Sequence, residues 1–110
     1  MNKIRVAYND NYSGFLLSPE ALAWMEDNGY IGPICSSDGT CIVPRHHPLL
    51  VRCIEELGER ANGSLPEKSL ASGTSDLCIA QVEGTMYYVF DYDGKETVIG
   101  VNDMIDSRKQ

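Results

Sequence analysis

The residues best suited to chemistry lie between positions 35 and 53: Cys35, Cys41, His46, His47 and Cys53, spaced C-x5-C-x4-H-H-x5-C. Thiolate and imidazole are the donors zinc prefers, but its structural sites are built on a close C-x2-4-C knuckle or an H-x3-5-H step. Neither is present. Two adjacent histidines do not readily face one ion, and Cys53 falls in the middle of a helical stripe. If an ion binds, Cys35, Cys41 and His46 are its candidates. The plainer reading is core thiols and a capping histidine, with no metal and no cofactor. A Cys–His nucleophile needs a thiol of lowered pKa, at a helix N-terminus or beside a cation, and no glycine-rich turn presents a cysteine in that way. G-x-S-x-G, phosphate-loop, dinucleotide and H-E-x-x-H patterns are all missing. A zinc- or thiol-dependent enzyme therefore ranks third, behind two kinds of binding protein.

The first kind rests on aromatic residues. Met86 to Tyr92 alternates Met86, Tyr88, Phe90 and Tyr92 against Tyr87, Val89 and Asp91. A sheet covered on one face only leaves one such row outside, unless the polar 64–75 segment covers it. Tyr87, Tyr88 and Tyr92 are then interface candidates for a host protein or for a second copy, since tyrosines are effective interface anchors. The second kind rests on polar residues. Asn9, Asn11 and Tyr12 end the first strand just before a capped helix. Arg45, His46 and His47 stand at the start of the second helix, where free N–H groups attract anions. Convergence of the two groups would make a pocket for a small anion such as a nucleotide or second messenger. Asp91, Asp93 and Glu96 flank a hairpin turn and read as turn chemistry and solvated edge.

The elements that must position these residues are legible from periodicity. Lys3 to Tyr8 alternates as a half-buried strand. Ser18-Pro19-Glu20 opens a helix with a capping hydroxyl, a proline in the first turn and a carboxylate at the positive dipole end. Asn28-Gly29 closes it. Tyr30 to Pro44 holds no period and reads as an irregular connection, with at most a short extended piece at Cys41 to Val43. His47 caps a second helix that opens on Pro48, carries Leu50, Ile54, Leu57 and Ala61 on one stripe, and ends at Asn62-Gly63. Its outer face holds Arg52, Glu55, Glu56, Glu59 and Arg60, with Glu56 and Arg60 placed to pair. Gly58 inside it would admit another element closely. Leu77 to Val82, Met86 to Tyr92 and Lys95 to Val101 are strands, turning at Glu83-Gly84 and at Asp93-Gly94, the latter a strong hairpin signal. A further helical turn is expected from Asn102.

Strand, helix, helix and a three-stranded meander make an α+β domain: one antiparallel sheet of about four strands with two helices packed on one face. The 110 residues suit a single domain. Nine Lys and Arg against sixteen Asp and Glu leave a net charge of −7, which repels phosphate backbones and disfavours general nucleic-acid binding. The opening M-N-K-I-R-V-A-Y has no apolar run after its charges, and no stretch approaches the ~20 apolar residues of a membrane span. No signal peptide and no membrane association are expected, and the chain is expected in the cytoplasm. Four irregularly spaced cysteines fit a reducing compartment, as small buried or half-buried residues.

Three blocks in order, Y-N-D-N-Y-S-G-F-L-L-S-P-E-A, V-P-R-H-H-P-L-L-V-R-C-I-E-E-L-G-E-R-A-N-G and Y-Y-V-F-D-Y-D-G-K-E-T-V, cover about half of the chain. Together they resemble a family of small bacteriophage and prophage accessory proteins. That family has two glycines where this chain has Ser13-Gly14, and an aspartate where it has His47. The resemblance implies a viral accessory protein acting in the host cytoplasm, against a host enzyme or defence system.

Overall fold

The structure is a computed structural model that describes residues 3–37, 39–64, 74–84, 86–92 and 94–100. In chain order it contains β1 (Lys3–Asn9), α1 (Pro19–Asp27), α2 (Pro48–Leu57), a 3-10 turn (Gly58–Ala61), β2 (Leu77–Glu83), β3 (Tyr87–Tyr92) and β4 (Lys95–Gly100). The α+β class and the count of four strands hold. Among the described residues no helix is long and apolar enough to cross a membrane. The tail from Asn102 and most of the 64–75 segment lie outside the described residues.

The sheet arrangement differs from the expected meander. β1 pairs antiparallel with β2, from Lys3↔Glu83 to Asn9↔Leu77, and β3 with β4, from Tyr87↔Gly100 to Tyr92↔Lys95. These are two separate two-stranded sheets, and β2 and β3 share no ladder among the described residues. The physical reason is in β1. Val6 and Ala7 are consecutive, so they point to opposite faces, yet both are fully buried. Ala7, with Leu77 and Ile79, faces a core formed with Met25, Leu50, Cys53 and Ile54 from the helices. The opposite face, with Val6, Tyr8, Ala80 and Val82, needs a second cover. β4 supplies it by lying against β1 and β2. The hairpin is stacked on the first sheet instead of extending it.

Both helix starts form as expected. Ser18 Oγ accepts from Ala21 N at 3.0 Å and donates to Arg60 O at 2.6 Å, so the cap of α1 also ties down the 3-10 turn that follows α2. His47 Nδ1 accepts from Leu49 N at 3.1 Å. α2 is shorter than its apolar stripe implies. It stops at Leu57 because Gly58 turns to φ +58°, and the chain continues as the 3-10 turn with Ala61 still buried. Arg60 consequently misses Glu56 and reaches Glu20 of α1 at 3.0 Å, while Glu56 pairs with Arg52 at 3.6 Å.

Close approach occurs at Gly63, not at Gly58. A Cβ on Gly58 would meet nothing within 4 Å, whereas one on Gly63 would lie 2.6 Å from Leu17 O. Gly63 N–H donates to Leu16 O and to Ser75 Oγ, and Ser75 Oγ donates to Leu16 O, stitching three distant segments together. Because the obstruction is backbone, Gly63→Ala should cost about 1–3 kcal/mol, measured as a shift in the urea midpoint with an unchanged slope.

Candidate functional site

Of the two polar groups singled out in the sequence, one residue of each, Asn9 and Arg45, come together, but around a side chain of the protein itself. Glu96 of β4 points inward and is 5% exposed, while its partner Arg45 is 20% exposed. Glu96 Oε1 accepts from the Arg45 guanidinium and, at 2.9 Å, from Asn9 N–H. Arg45 also lies 4.0 Å from the centroid of the Phe15 ring, and its carbonyl accepts from Ala7 N–H at 2.8 Å. The anion expected at this place is thus a carboxylate that the sequence had marked as solvated edge.

The other residues of that group are also committed within the fold. Asn9 is fully buried. Its amide donates to Asn11 O and Gly94 O, and its Oδ1 accepts from Asp76 N–H. Asn11 donates to Thr74 O and accepts from Tyr12 N–H. His46 Nδ1 shares a 2.8 Å hydrogen bond with the Tyr87 hydroxyl, and His47 is the helix cap, with Tyr30 edge-on to its ring. Gly94 is held where a Cβ would lie 2.6 Å from both Gly14 N and Tyr12 O, so the hairpin tip is pressed onto the loop after β1.

The cysteines sit as small core residues, Cys41 and Cys53 buried, Cys35 and Cys78 half-buried, and all four are free thiols. Cys35 and Cys41 face each other across an isolated bridge, but His46 is engaged by Tyr87, and these residues do not gather as a ligand set. Among the described residues the set whose donor atoms lie within 4.8 Å of one another is Asp10, Asp76 and Cys78. Sequence could not show it, because it depends on the register that sets Tyr8 opposite Cys78. Beside it, Tyr8, Asp10, Ala80, Glu96, Thr97 and Val98 line a cavity of about 220 Å³.

Burial raises every thiol above its ordinary pKa, Cys41 and Cys53 to about 11, and the Asp76 carboxylate adds to the effect at Cys78. Thiols raised in this way are protonated at neutral pH and are poor nucleophiles.

The aromatic row stands exposed on the surface. Tyr88, Phe90 and Tyr92 are 52%, 48% and 63% exposed on the outer face of β3, with Met86 at 66%. Tyr12 extends the row, its ring 6.5 Å from that of Tyr92 and edge-on to it, with the Lys95 amine 5.6 Å from the Tyr12 ring. Tyr87, one of the three expected interface residues, is instead on the inner face, half-buried, and burial raises its hydroxyl pKa. Alternation divides the row correctly, and Phe90 belongs with Tyr88 and Tyr92.

Two outcomes follow from this chemistry. Glu96→Ala leaves Arg45 without its partner and should cost about 3 kcal/mol or more, whereas Arg45→Met combined with Glu96→Leu should cost less than the two single changes summed. Strict additivity in denaturant melts would refute the coupling. For the thiols, the folded state holds protons that the unfolded state releases from pH about 9 upward. Stability should therefore decline as pH rises through the window up to about 11, the value set by Cys41 and Cys53. The decline in melting temperature should be smaller in Cys41→Ala.

No family model, curated protein or solved structure matches the chain, so what its surface can do rests on the chemistry of these residues.

Proposed function

We propose that the protein is a non-enzymatic binding module that engages a host protein through the outer face of the β3–β4 hairpin. The observation that carries this reading is the exposed row Tyr88, Phe90 and Tyr92. Three neighbouring aromatic side chains about half in water are unfavourable for an isolated chain, and they are the residue types that dominate interface energetics. A rigid ribbon presents them at low entropic cost, since β3 is paired along its length with β4 and seated on the first sheet through Glu96. The resemblance of three sequence blocks to small bacteriophage accessory proteins supports a host component as the partner.

Two alternatives are less well supported. A pocket for a nucleotide or second messenger would draw on Asn9, Asn11 and Arg45, whose polar atoms are engaged within the fold. A thiol enzyme would need a lowered pKa where the structure raises it.

A photoreactive benzoylphenylalanine at position 90, with a control at the exposed position Glu26 on α1, tests the proposal in host cells. One saturable adduct with a single host protein is expected at position 90 and not at 26. Adducts equal at the two positions, or formed only with a second copy, would rule out host binding by this face.

A further inference from the structure

A second surface, independent of the aromatic row, lies along the outer edge of β1. In an antiparallel pair, alternate residues turn N–H and C=O away from the partner strand. Ala7 and Asn9 do so here, since Ala7 N–H donates to Arg45 O and Asn9 N–H to Glu96 Oε1. Arg5 has the same parity, so its N–H and C=O also face away from β2, and among the described residues nothing accepts from Arg5 N–H. The segment that covers the edge at Ala7 has turned into α2 before it reaches Arg5.

A groove of about 310 Å³ opens at this point. Ile4 and Arg5 both line it, although consecutive strand residues point to opposite faces. A cavity that touches both runs along the strand's edge rather than over one face. The other lining residues are His46, held by Tyr87, and, from α2, the exposed Pro48, the buried Val51, Arg52 and Glu55. An open strand edge beside apolar and charged side chains is the setting in which an extended peptide adds as a strand.

Charge selects the occupant. Arg5 pairs with Glu55 and is about half exposed. Arg52 is more than half exposed, with Glu56 at 3.6 Å, and so weak a surface pair leaves its charge available. Among the lining residues two guanidiniums stand beside one carboxylate, in a chain of net charge −7, while Lys3 on the same edge lies opposite Glu83 of β2. A second copy docking antiparallel by the same edge would set Arg5 opposite Lys3 or Arg5 of its counterpart, and like charges directly opposite are destabilising. We propose that this groove binds an extended acidic peptide segment of a partner protein, which adds as a strand to β1 at Arg5 and lays apolar side chains on Pro48 and Val51 and a carboxylate on Arg52.

The probe is a capped hexapeptide alternating valine and glutamate, titrated into the isotope-labelled full chain. Amide shifts are expected at Ile4, Arg5 and Leu49 to Glu55, with exchange at the Arg5 amide slowed about tenfold or more. Arg52→Glu, at an exposed position that leaves the fold intact by circular dichroism, should weaken binding about tenfold or more. A lysine-for-glutamate peptide and one N-methylated on alternate amides should not bind. Absence of shifts at millimolar peptide, equal binding of the lysine peptide, or shifts confined to β3 would overturn the proposal. So would an Arg5 amide already protected without peptide: protection at every protein concentration would assign the edge to this chain's own residues, and protection that grows with concentration would assign it to a second copy.

Discussion

The buried pair of Arg45 and Glu96 is the constraint to which the other elements conform. Taking a carboxylate to 5% exposure is costly unless it is paired and hydrogen-bonded, and Glu96 meets both conditions with groups from two separate segments, the guanidinium of Arg45 and the N–H of Asn9. Each of these groups is fixed in turn. Arg45 is held by Phe15 under its guanidinium and by Ala7 on its carbonyl. Asn9 is held by Gly94, Asn11 and Asp76. The hairpin therefore has one way to sit on β1, and α2 must begin where Arg45 places it. Apolar contact alone between the sheets would leave the register of this packing loosely specified. A single ion pair in a low-dielectric site defines it, because any slip strands a charge.

Stacking has a consequence for the surface. Had the hairpin extended the first sheet, the face with Val6 and Val82 would have faced water, and the hairpin's own faces would have been divided between helices and solvent. As a second layer it covers Val6 and Val82 with its inner row. Its outer row then has no layer above it among the described residues. The exposed tyrosines and the buried glutamate are two faces of one strand pair: the same alternation that sends Glu96 inward sends Tyr88, Phe90 and Tyr92 outward.

Local signals in the sequence mark the elements well. Ser18-Pro19 and His47-Pro48 fix both helix starts through caps that form as their chemistry requires. The hairpin signal of the dipeptide Asp93-Gly94 predicts two strands meeting there, and Tyr92 does pair with Lys95. What escapes is whatever depends on a distant partner. Gly58 has the same local appearance whether it continues a helix or turns to positive φ. Glu96 beside a turn looks like every solvated turn carboxylate, and only the arrival of Arg45 and Asn9 from 51 and 87 residues away makes it a buried ion. One clue to the second layer was present. I-R-V-A-Y puts Val6 and Ala7, both apolar, on opposite faces, which is the mark of a strand covered on both sides. Of the candidate ligand residues, Asn9 and Arg45 meet at Glu96 while Asn11, His46 and His47 take other partners, and the count of charges says nothing about which carboxylate arrives from within.

The same accounting relocates the protein's basic character. The start of α2 carries Arg45, His46 and His47 and has the look of an anion site, but each is occupied: by Glu96, by Tyr87 and by the cap of the helix itself. Beside the start of α2, positive charge in contact with solvent stands further along the helix and across the groove, at Arg52 and Arg5. Both sit against acidic neighbours on a chain of net charge −7, so their field is short in range and fades beyond a Debye length of roughly 8 Å at physiological salt. It cannot draw a polyanion from a distance. It can discriminate among segments already at the strand edge, where a carboxylate would be within direct reach of a guanidinium and a lysine would not be tolerated.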